Sequence, residues 1–458
     1  MSIPESCLEG VAEKPKLWDN LGSLGGFVMH LTIAGTGYVG LVAGVCFAKV
    51  GHHVTCVDID EKKVAMLNKG ISPIYESDLE EYLQEGLAKG LLQFTTNYQE
   101  AYKSPDVIFI GVGTPELPDG SANLSYVASV ARQIAENVER DCLVVVKSTV
   151  PVGTNDKVEQ FIKDSLVHPV CIEVASNPEF LAQGSAVHDM MHAQRIVIGV
   201  EDKHAEGILR ELYAPFKLPV VAVSRRSAEM TKYAANDFLA LKISYMNDLA
   251  NLCELVGANI EDVALGMSYD ERIGSRFLKA GIGYGGSCFP KDTKALQYLA
   301  TQYGYNLRTV GAAVEVNNEQ RYKLYRKACN RMITFNGIKV AVLGLAFKAG
   351  TDDLRESPSI YNIPLLLNQG ALITAFDPVA EENCKRQYQF DMQYASTVEQ
   401  ALTGAQVCFI FTDWPEIRSL SPSVFKQLMR TALVYDGRNL FNPRAMLEAG
   451  VEYYSIGR

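Results

Sequence analysis

No apolar run in the 458-residue chain approaches the ~18 residues that a helix needs to span a bilayer, so a membrane partner is not expected. A basic surplus is missing too: 43 Lys and Arg stand against 53 Asp and Glu, for a net charge of -10. Nucleic-acid binding wants a basic stripe, so nucleic acid is not an expected partner, and any anionic ligand needs cations gathered locally. The ten cysteines never form C-x-x-C, which removes zinc knuckles and thioredoxin motifs, and no metal site is expected. In a chain this long they read as reduced thiols of a cytoplasmic protein. Histidine is absent after His204, so lysines and carboxylates are the nearer partners in sequence for a nucleophile in the second half. Residues 1–28 lack the basic and apolar regions of a secretory signal and show no clear periodicity. They read as an N-terminal extension, with Met29 a candidate internal start.

What is present is α/β alternation, at 48% hydrophobic and 21% charged residues, over a length that implies two or three domains. Leu31 to Ala34 reads as a buried strand. Gly35-Thr-Gly37-Tyr-Val-Gly40 and a helical stretch to Val50 follow, and a second strand, His53 to Val57, ends in Asp58. Strand, glycine turn, helix, strand and acid form the dinucleotide fingerprint. The pyrophosphate would rest on the helix N-terminus, and Asp58 would accept from the ribose hydroxyls and disfavour a 2′-phosphate. NAD is therefore the expected cofactor.

Further strands are expected over Asp106–Val112, Leu143–Val146, Val174–Ser176 and Arg195–Val200, in a parallel sheet whose following loops face the ligand crevice. Thr114, Thr149 and Glu179 lie on such loops, although Thr149 before Pro151 equally fits a helix cap and Glu179 a solvated turn acid. A long helix is expected over Ser227–Val256, with Met230, Ala234, Leu241, Tyr245, Leu249, Leu252 and Val256 as its apolar stripe. It is longer than one domain needs, so it should bridge two domains and offer a dimer face. Lys232 and Asn236 share one side of it, which an ordinary polar stripe would also explain.

Gly281 to Asp292, G-I-G-Y-G-G-S-C-F-P-K-D, sets Cys288 among four glycines with Lys291 and Asp292 close behind. Such a loop can present a nucleophilic thiol or hold a small buried one. After residue 330 the strand pattern restarts at Ile338–Leu343, Leu372–Phe376, Val407–Phe411 and Leu433–Tyr435, without G-x-G-x-x-G. Lys348, Arg355 and Arg438 follow these strands, as surface cations or as the rim of an anion site.

From Met29 onward the chain resembles the UDP-glucose/GDP-mannose dehydrogenase family. The resemblance rests on G-T-G-Y-V-G, V-G-T-P, S-T-V-P-V-G-T, N-P-E-F-L, K-Y-A-A-N, D-E-R-I-G, G-Y-G-G-S-C-F-P-K-D, F-K and D-G-R, in family order. It implies two Rossmann-like domains joined by a long central helix. The divisions would be 29–224 for NAD binding, 225–329 for the central dimerisation region with the cysteine loop, and 330–458 for UDP-sugar binding. The implied activity is NAD-dependent, two-step oxidation of UDP-glucose to UDP-glucuronate through a Cys288 thiohemiacetal and thioester. GDP-mannose is the alternative substrate, a single-hydride dehydrogenase a second possibility, and a silent NAD-binding module a third.

By the resemblance, Cys288 is the nucleophile and Lys232, beside Asn236, stabilises oxyanion character. Asp292 and Thr149 position water, and Glu179 serves thioester hydrolysis. Gly35, Gly37, Tyr38, Val39, Gly40, Asp58, Lys63, Thr114, Thr149 and Arg355 would hold NAD. Glu179, Phe180, Leu181, Lys232, Asn236, Phe277, Lys279, Gly285, Lys348 and Arg438 would meet the substrate, with Arg272 reaching over from a partner in a homodimer or larger homo-oligomer. Gln183 departs from the pattern, standing where the family usually has an acid.

Overall fold

Each apolar run that ends in a turn folds as a buried strand. The computed structural model describes residues 28–458, so the extension read over 1–28 lies, but for Val28, outside the described residues. The first sheet holds β1 (His30–Ala34), β2 (His53–Val57), β3 (Leu92–Thr95), β4 (Val107–Ile110), β5 (Cys142–Val146), β6 (Ile172–Ser176), β7 (Ile196–Gly199) and β8 (Val220–Val223). The second holds β9 (Lys339–Leu343), β10 (Leu372–Phe376), β11 (Gln393–Tyr394), β12 (Val407–Ile410), β13 (Leu433–Asp436) and β14 (Glu452–Tyr454). The strand orders are β3-β2-β1-β4-β5-β6-β7-β8 and β11-β10-β9-β12-β13-β14. Helices cover both faces, which is why the central strands are apolar throughout rather than alternating.

In each sheet the order reverses beside its first strand, and that switch opens a crevice at the strands' carboxyl ends. Ala34 is level with both Val57 and Ile110, so Gly35, Asp58 and Gly111 emerge together at the first crevice. In the second domain the turn after β9 is closed from within. Asp377 accepts from the backbone N–H groups of Leu345 at 2.7 Å and Ala346 at 3.0 Å, so those donors are already satisfied.

One departure from an all-parallel sheet appears. β7 runs antiparallel to β6, meeting it at Ser176 and Gly199. The strand expected over Asp106–Val112 stops at Ile110, because Gly111 and the residues after it turn out along the crevice. β3, β8, β11 and β14 were not anticipated. They are short and lie at or near sheet edges, where one covered face requires less apolar sequence.

The long helix runs Arg225–Val256. Ser224 caps it by accepting from the Ser227 N–H, and Gly257, at φ +75°, ends it. Its start packs on the first sheet so tightly that a Cβ on Gly199 would lie 2.6 Å from that of Ala228. Its end places Met246, Ala250 and Cys253 in the second domain's core. The apolar stripe read from the sequence proves to be mostly the outward face: Met230, Ala234, Tyr245, Leu252 and Val256 are exposed. The inward face carries Lys232, Tyr233, Asn236, Asp237, Ser244 and Asn247, because that side lines the site and the tight interdomain packing.

Candidate active site

The glycine turn is shaped by sterics at two points. Gly35 holds φ +94°, and a Cβ on Gly40 would sit 2.0 Å from the Gly35 carbonyl oxygen. A Cβ on Gly37 would meet nothing within 4 Å, so the space over the N-terminus of helix Tyr38–Lys49 is open, beside Tyr38 and Val39. Asp58 accepts from the Thr36 N–H at 2.9 Å, the Thr36 hydroxyl at 2.5 Å and the Lys63 ammonium at 3.1 Å. Burial works against its charge, but these bonds, with one from the Asp60 N–H, hold the carboxyl below its ordinary value. An open helix N-terminus behind a close-packed glycine turn, next to an ionised acid, fits a dinucleotide. The Thr114 hydroxyl donates to the Thr149 carbonyl at 2.8 Å and joins the loops after β4 and β5.

Cys288 lies between the two sheets, immediately before helix Phe289–Gln302, with Pro290 in that helix's first turn. The glycine loop ahead of it presses on the second domain, where a Cβ on Gly285 would fall 2.3 Å from the Glu356 carbonyl oxygen. Burial pushes the thiol up, and Glu179 and Asp292 push the same way, while Lys232 and the Ser287 hydroxyl oppose them. Lys232 pairs with Glu179 at 3.0 Å, and both are buried. Burial works against each charge, but the attraction between them wins, raising the lysine and lowering the glutamate. Asn236 donates to Asp292 at 2.6 Å, and Lys291 pairs with the other oxygen of that carboxylate at 2.6 Å. Lys291 is therefore engaged with Asp292.

A cavity of about 1030 Å³ spans the interdomain crevice and brings most of the candidates together. Cys288, Lys232, Asn236 and Glu179 line its reactive end, with Phe180 and Leu181 beside them. Phe277, Lys279, Gly285, Lys348 and Arg438 line the rest. Arg438 also clamps the loops, donating to the carbonyls of Phe411 at 2.7 Å, Phe347 at 2.7 Å and Gly283 at 3.3 Å. Asp292 and Thr149 do not line the cavity. Arg355 is turned to Asp353 at 2.6 Å. Arg272, its side chain 89% exposed and paired with Asp270, stands away from its own chain's cavity. Gln183 donates to Asp353 at 3.1 Å across the domains, where an acid would face a second carboxylate.

Three family models match in succession: the NAD binding domain at residues 29–217, the central domain at 226–319 and the UDP binding domain at 341–443 of the UDP-glucose/GDP-mannose dehydrogenase family. The chain belongs to that family. The UDP-glucose 6-dehydrogenase YwqF of Bacillus subtilis (strain 168) is 49% identical over 430 residues, 94% of this chain and 98% of that one. A UDP-glucose 6-dehydrogenase of Rhizobium meliloti (strain 1021) is 45% identical over 438 residues, covering 94% and 100%. Among solved structures, a UDP-glucose dehydrogenase from the hyperthermophilic archaeon Pyrobaculum islandicum superposes with a TM-score of 0.88 at 37% identity, over 95% of this chain and 99% of that one. The chain is thus an NAD-binding dehydrogenase built as two α/β domains joined by helices.

The family motifs left several site residues unread. Lys147 and Asn177 both line the cavity, each two residues before a candidate, Thr149 and Glu179. Arg195 lies 3.9 Å over the Phe180 ring, and its run had been read only as a strand. Asp237, next to Asn236 on the helix, has both carboxyl oxygens buried without a hydrogen-bond partner. Burial, together with the Asp292 charge, pushes that carboxyl up to about 8. Unfolded, it returns to about 4. Between those values the native state holds a proton that the unfolded chain has lost, so stability falls as pH rises through the window and levels off above it. Asp237→Asn should raise Tm by about a few degrees at pH 8 and barely change it near pH 4. Equal shifts at both pH values in thermal melts would contradict a neutral Asp237.

Proposed function

We propose that the protein is a UDP-glucose 6-dehydrogenase that oxidises the C6 hydroxymethyl group of UDP-glucose to the carboxylate of UDP-glucuronate. The observation that carries the reading is that one cavity holds Cys288, the Lys232–Glu179 pair and, along its length, Lys279, Lys348 and Arg438. In a chain of net charge -10 those three cations supply the local attraction that a diphosphate needs. The names of the relatives support the same substrate.

Gly35, Gly37, Gly40 and Asp58 would hold NAD, with Tyr38, Val39, Lys63, Thr114, Thr149 and Arg355 around it. NAD supplies the hydride acceptor for each of the two oxidations. In the first, the C6 hydroxyl passes its proton to water as C6 loses a hydride, and Lys232 stabilises the oxygen. Cys288 then adds to the aldehyde: the S–C6 bond forms and the thiol proton passes to oxygen. Loss of the second hydride, with the hydroxyl proton again passing to water, leaves a thioester. Water, directed by Asp292 through the cavity-lining Asn236, attacks that carbonyl and gives a proton to Glu179. The C6–S bond breaks, Glu179 passes its proton to the sulfur, and the new carboxylic acid releases its own proton to water. Burial holds the proton on the Cys288 sulfur, so that proton has to leave for the C6 oxygen as the S–C6 bond forms. A cytoplasmic location keeps the thiol reduced.

The outward stripe of the long helix carries Phe238, Tyr245 and Leu252 at 61%, 53% and 52% exposure, a face suited to a second copy. In such a dimer Arg272 would complete the partner's site. Mixing inactive Arg272→Ala with inactive Cys288→Ala should then restore about a quarter of wild-type activity by forming dimers with one intact site. No recovery after subunit exchange would contradict sharing of Arg272.

Purified protein should form NADH faster with UDP-glucose than with GDP-mannose, and a preference for GDP-mannose would overturn the substrate reading. Cys288→Ala should make no UDP-glucuronate, and Cys288→Ser should accumulate an ester visible by intact-protein mass spectrometry. Near-normal product from Cys288→Ala would overturn the covalent route.

A further inference from the structure

Lys147 follows β5 on the floor of the cavity and is buried. Its ammonium donates to Asn177 Oδ1 at 2.9 Å, an oxygen that also accepts from the Tyr213 hydroxyl at 2.5 Å. A neutral amide is thus its one hydrogen-bond partner among the described residues, although an ammonium has three N–H groups to satisfy. The charged and titratable groups facing it are Glu179 from the loop after β6, Lys232 from the long helix, Cys46 from the first helix and Tyr213.

A buried ammonium without a carboxylate is unfavourable unless its charge is used. Lys232 has two demands on it in the proposed chemistry: it neutralises Glu179 at 3.0 Å, and it must serve the oxygen on C6. When it turns to that oxygen, Glu179 is left buried with its main counter-charge withdrawn. Burial alone would then favour a protonated Glu179, which cannot take a proton from water. Lys147 is the other cation whose charge reaches it.

We propose that Lys147 is a positioning residue whose charge keeps Glu179 ionised while Lys232 is drawn to the substrate oxygen, so that Glu179 can take the proton of the hydrolytic water. The inference rests on the reading of Glu179 as the group that serves thioester hydrolysis. In the assisted step the water oxygen bonds to C6, one water proton goes to Glu179, the C6–S bond breaks, Glu179 passes that proton to the sulfur, and the new carboxylic acid ionises into water. Burial lowers Lys147 to about 8, with Glu179 opposing, so the charge is present at neutral pH and fades above that value.

The test follows the Cys288 acyl-enzyme directly. Full-length enzyme is mixed with UDP-glucose and NAD between pH 5 and 9, quenched in acid, and the adduct is followed by intact-protein mass spectrometry. Wild-type adduct decay should slow as pH falls and Glu179 takes up a proton. Lys147→Met removes the charge at similar length and should move that acid limb up by about one pH unit, so that adduct lasts roughly tenfold longer below it. Lys147→Arg should restore the limb, and KM for UDP-glucose should stay within about twofold in both variants. If Lys147→Met melts early, Lys147→Gln, which retains a donor for Asn177, carries the same expectation. An unmoved limb in the neutral variants, or an equal shift in Lys147→Arg, would overturn the proposal and leave Lys147 as a peg for Asn177 and Tyr213. Glu179→Gln separates the two readings: an acid limb that survives in it contradicts the role of Glu179 itself.

Discussion

The site depends on one buried ion pair, Lys232 with Glu179 at 3.0 Å. Two charges out of water are tolerated only with good geometry and further hydrogen bonds. Glu179 gains one from the Leu181 N–H at 2.5 Å, and the Phe180 ring lies 5.4 Å beneath the lysine ammonium. The partners come from different elements, the lysine from the long helix and the glutamate from the loop after β6. The helix must therefore lie in a fixed place on the first sheet, which the contact of Ala228 with Gly199 enforces. One turn further on, Asn236 reaches Asp292 and fixes the first turn of the helix that follows Cys288. Cys288, Lys232 and Asp292, the nucleophile, cation and water-directing acid of the proposed chemistry, are thus aligned by a single rod anchored in both domains.

Much of this was legible because it rests on local chemistry. The glycine turn and Asp58 show in the sequence because close backbone packing and a ribose-facing acid leave few alternatives. β2 and β10 run over the ranges read for them because their apolar runs stop cleanly at Asp58 and Asp377. Edge strands such as Gln393–Tyr394 carry no comparable signal. The long helix starts two residues before the expected Ser227, yet the stripe expected to pack is its outward face. Periodicity identifies an apolar side without saying what covers it. Here the inward side is polar, since it lines the interdomain cavity and packs tightly between the domains.

The roles of Lys147 and Asp237 could not be read from spacing. Lysine at a strand end and aspartate on a helix are ordinary surface residues until the fold buries them. What sets them apart is the missing partner: among the described residues Lys147 rests on an amide, and the Asp237 carboxyl oxygens have no hydrogen-bond partner. Both lie within the electrostatic reach of the carboxylates that the proposed chemistry uses, Glu179 for Lys147 and Asp292 for Asp237. Their charge states are consequences of the fold, and pH is the variable that exposes them.

The central claim is that C6 passes through a covalent bond to Cys288 before it becomes a carboxylate. Carbon-13 NMR of UDP-glucose labelled at C6, held on Glu179→Gln with NAD, examines that bond directly. The expected result is a C6 resonance in the thioester region, absent when Cys288 is also changed to Ala. A carbon that appears only as aldehyde hydrate or free carboxylate, with no thioester signal while the second hydride is lost, would contradict it.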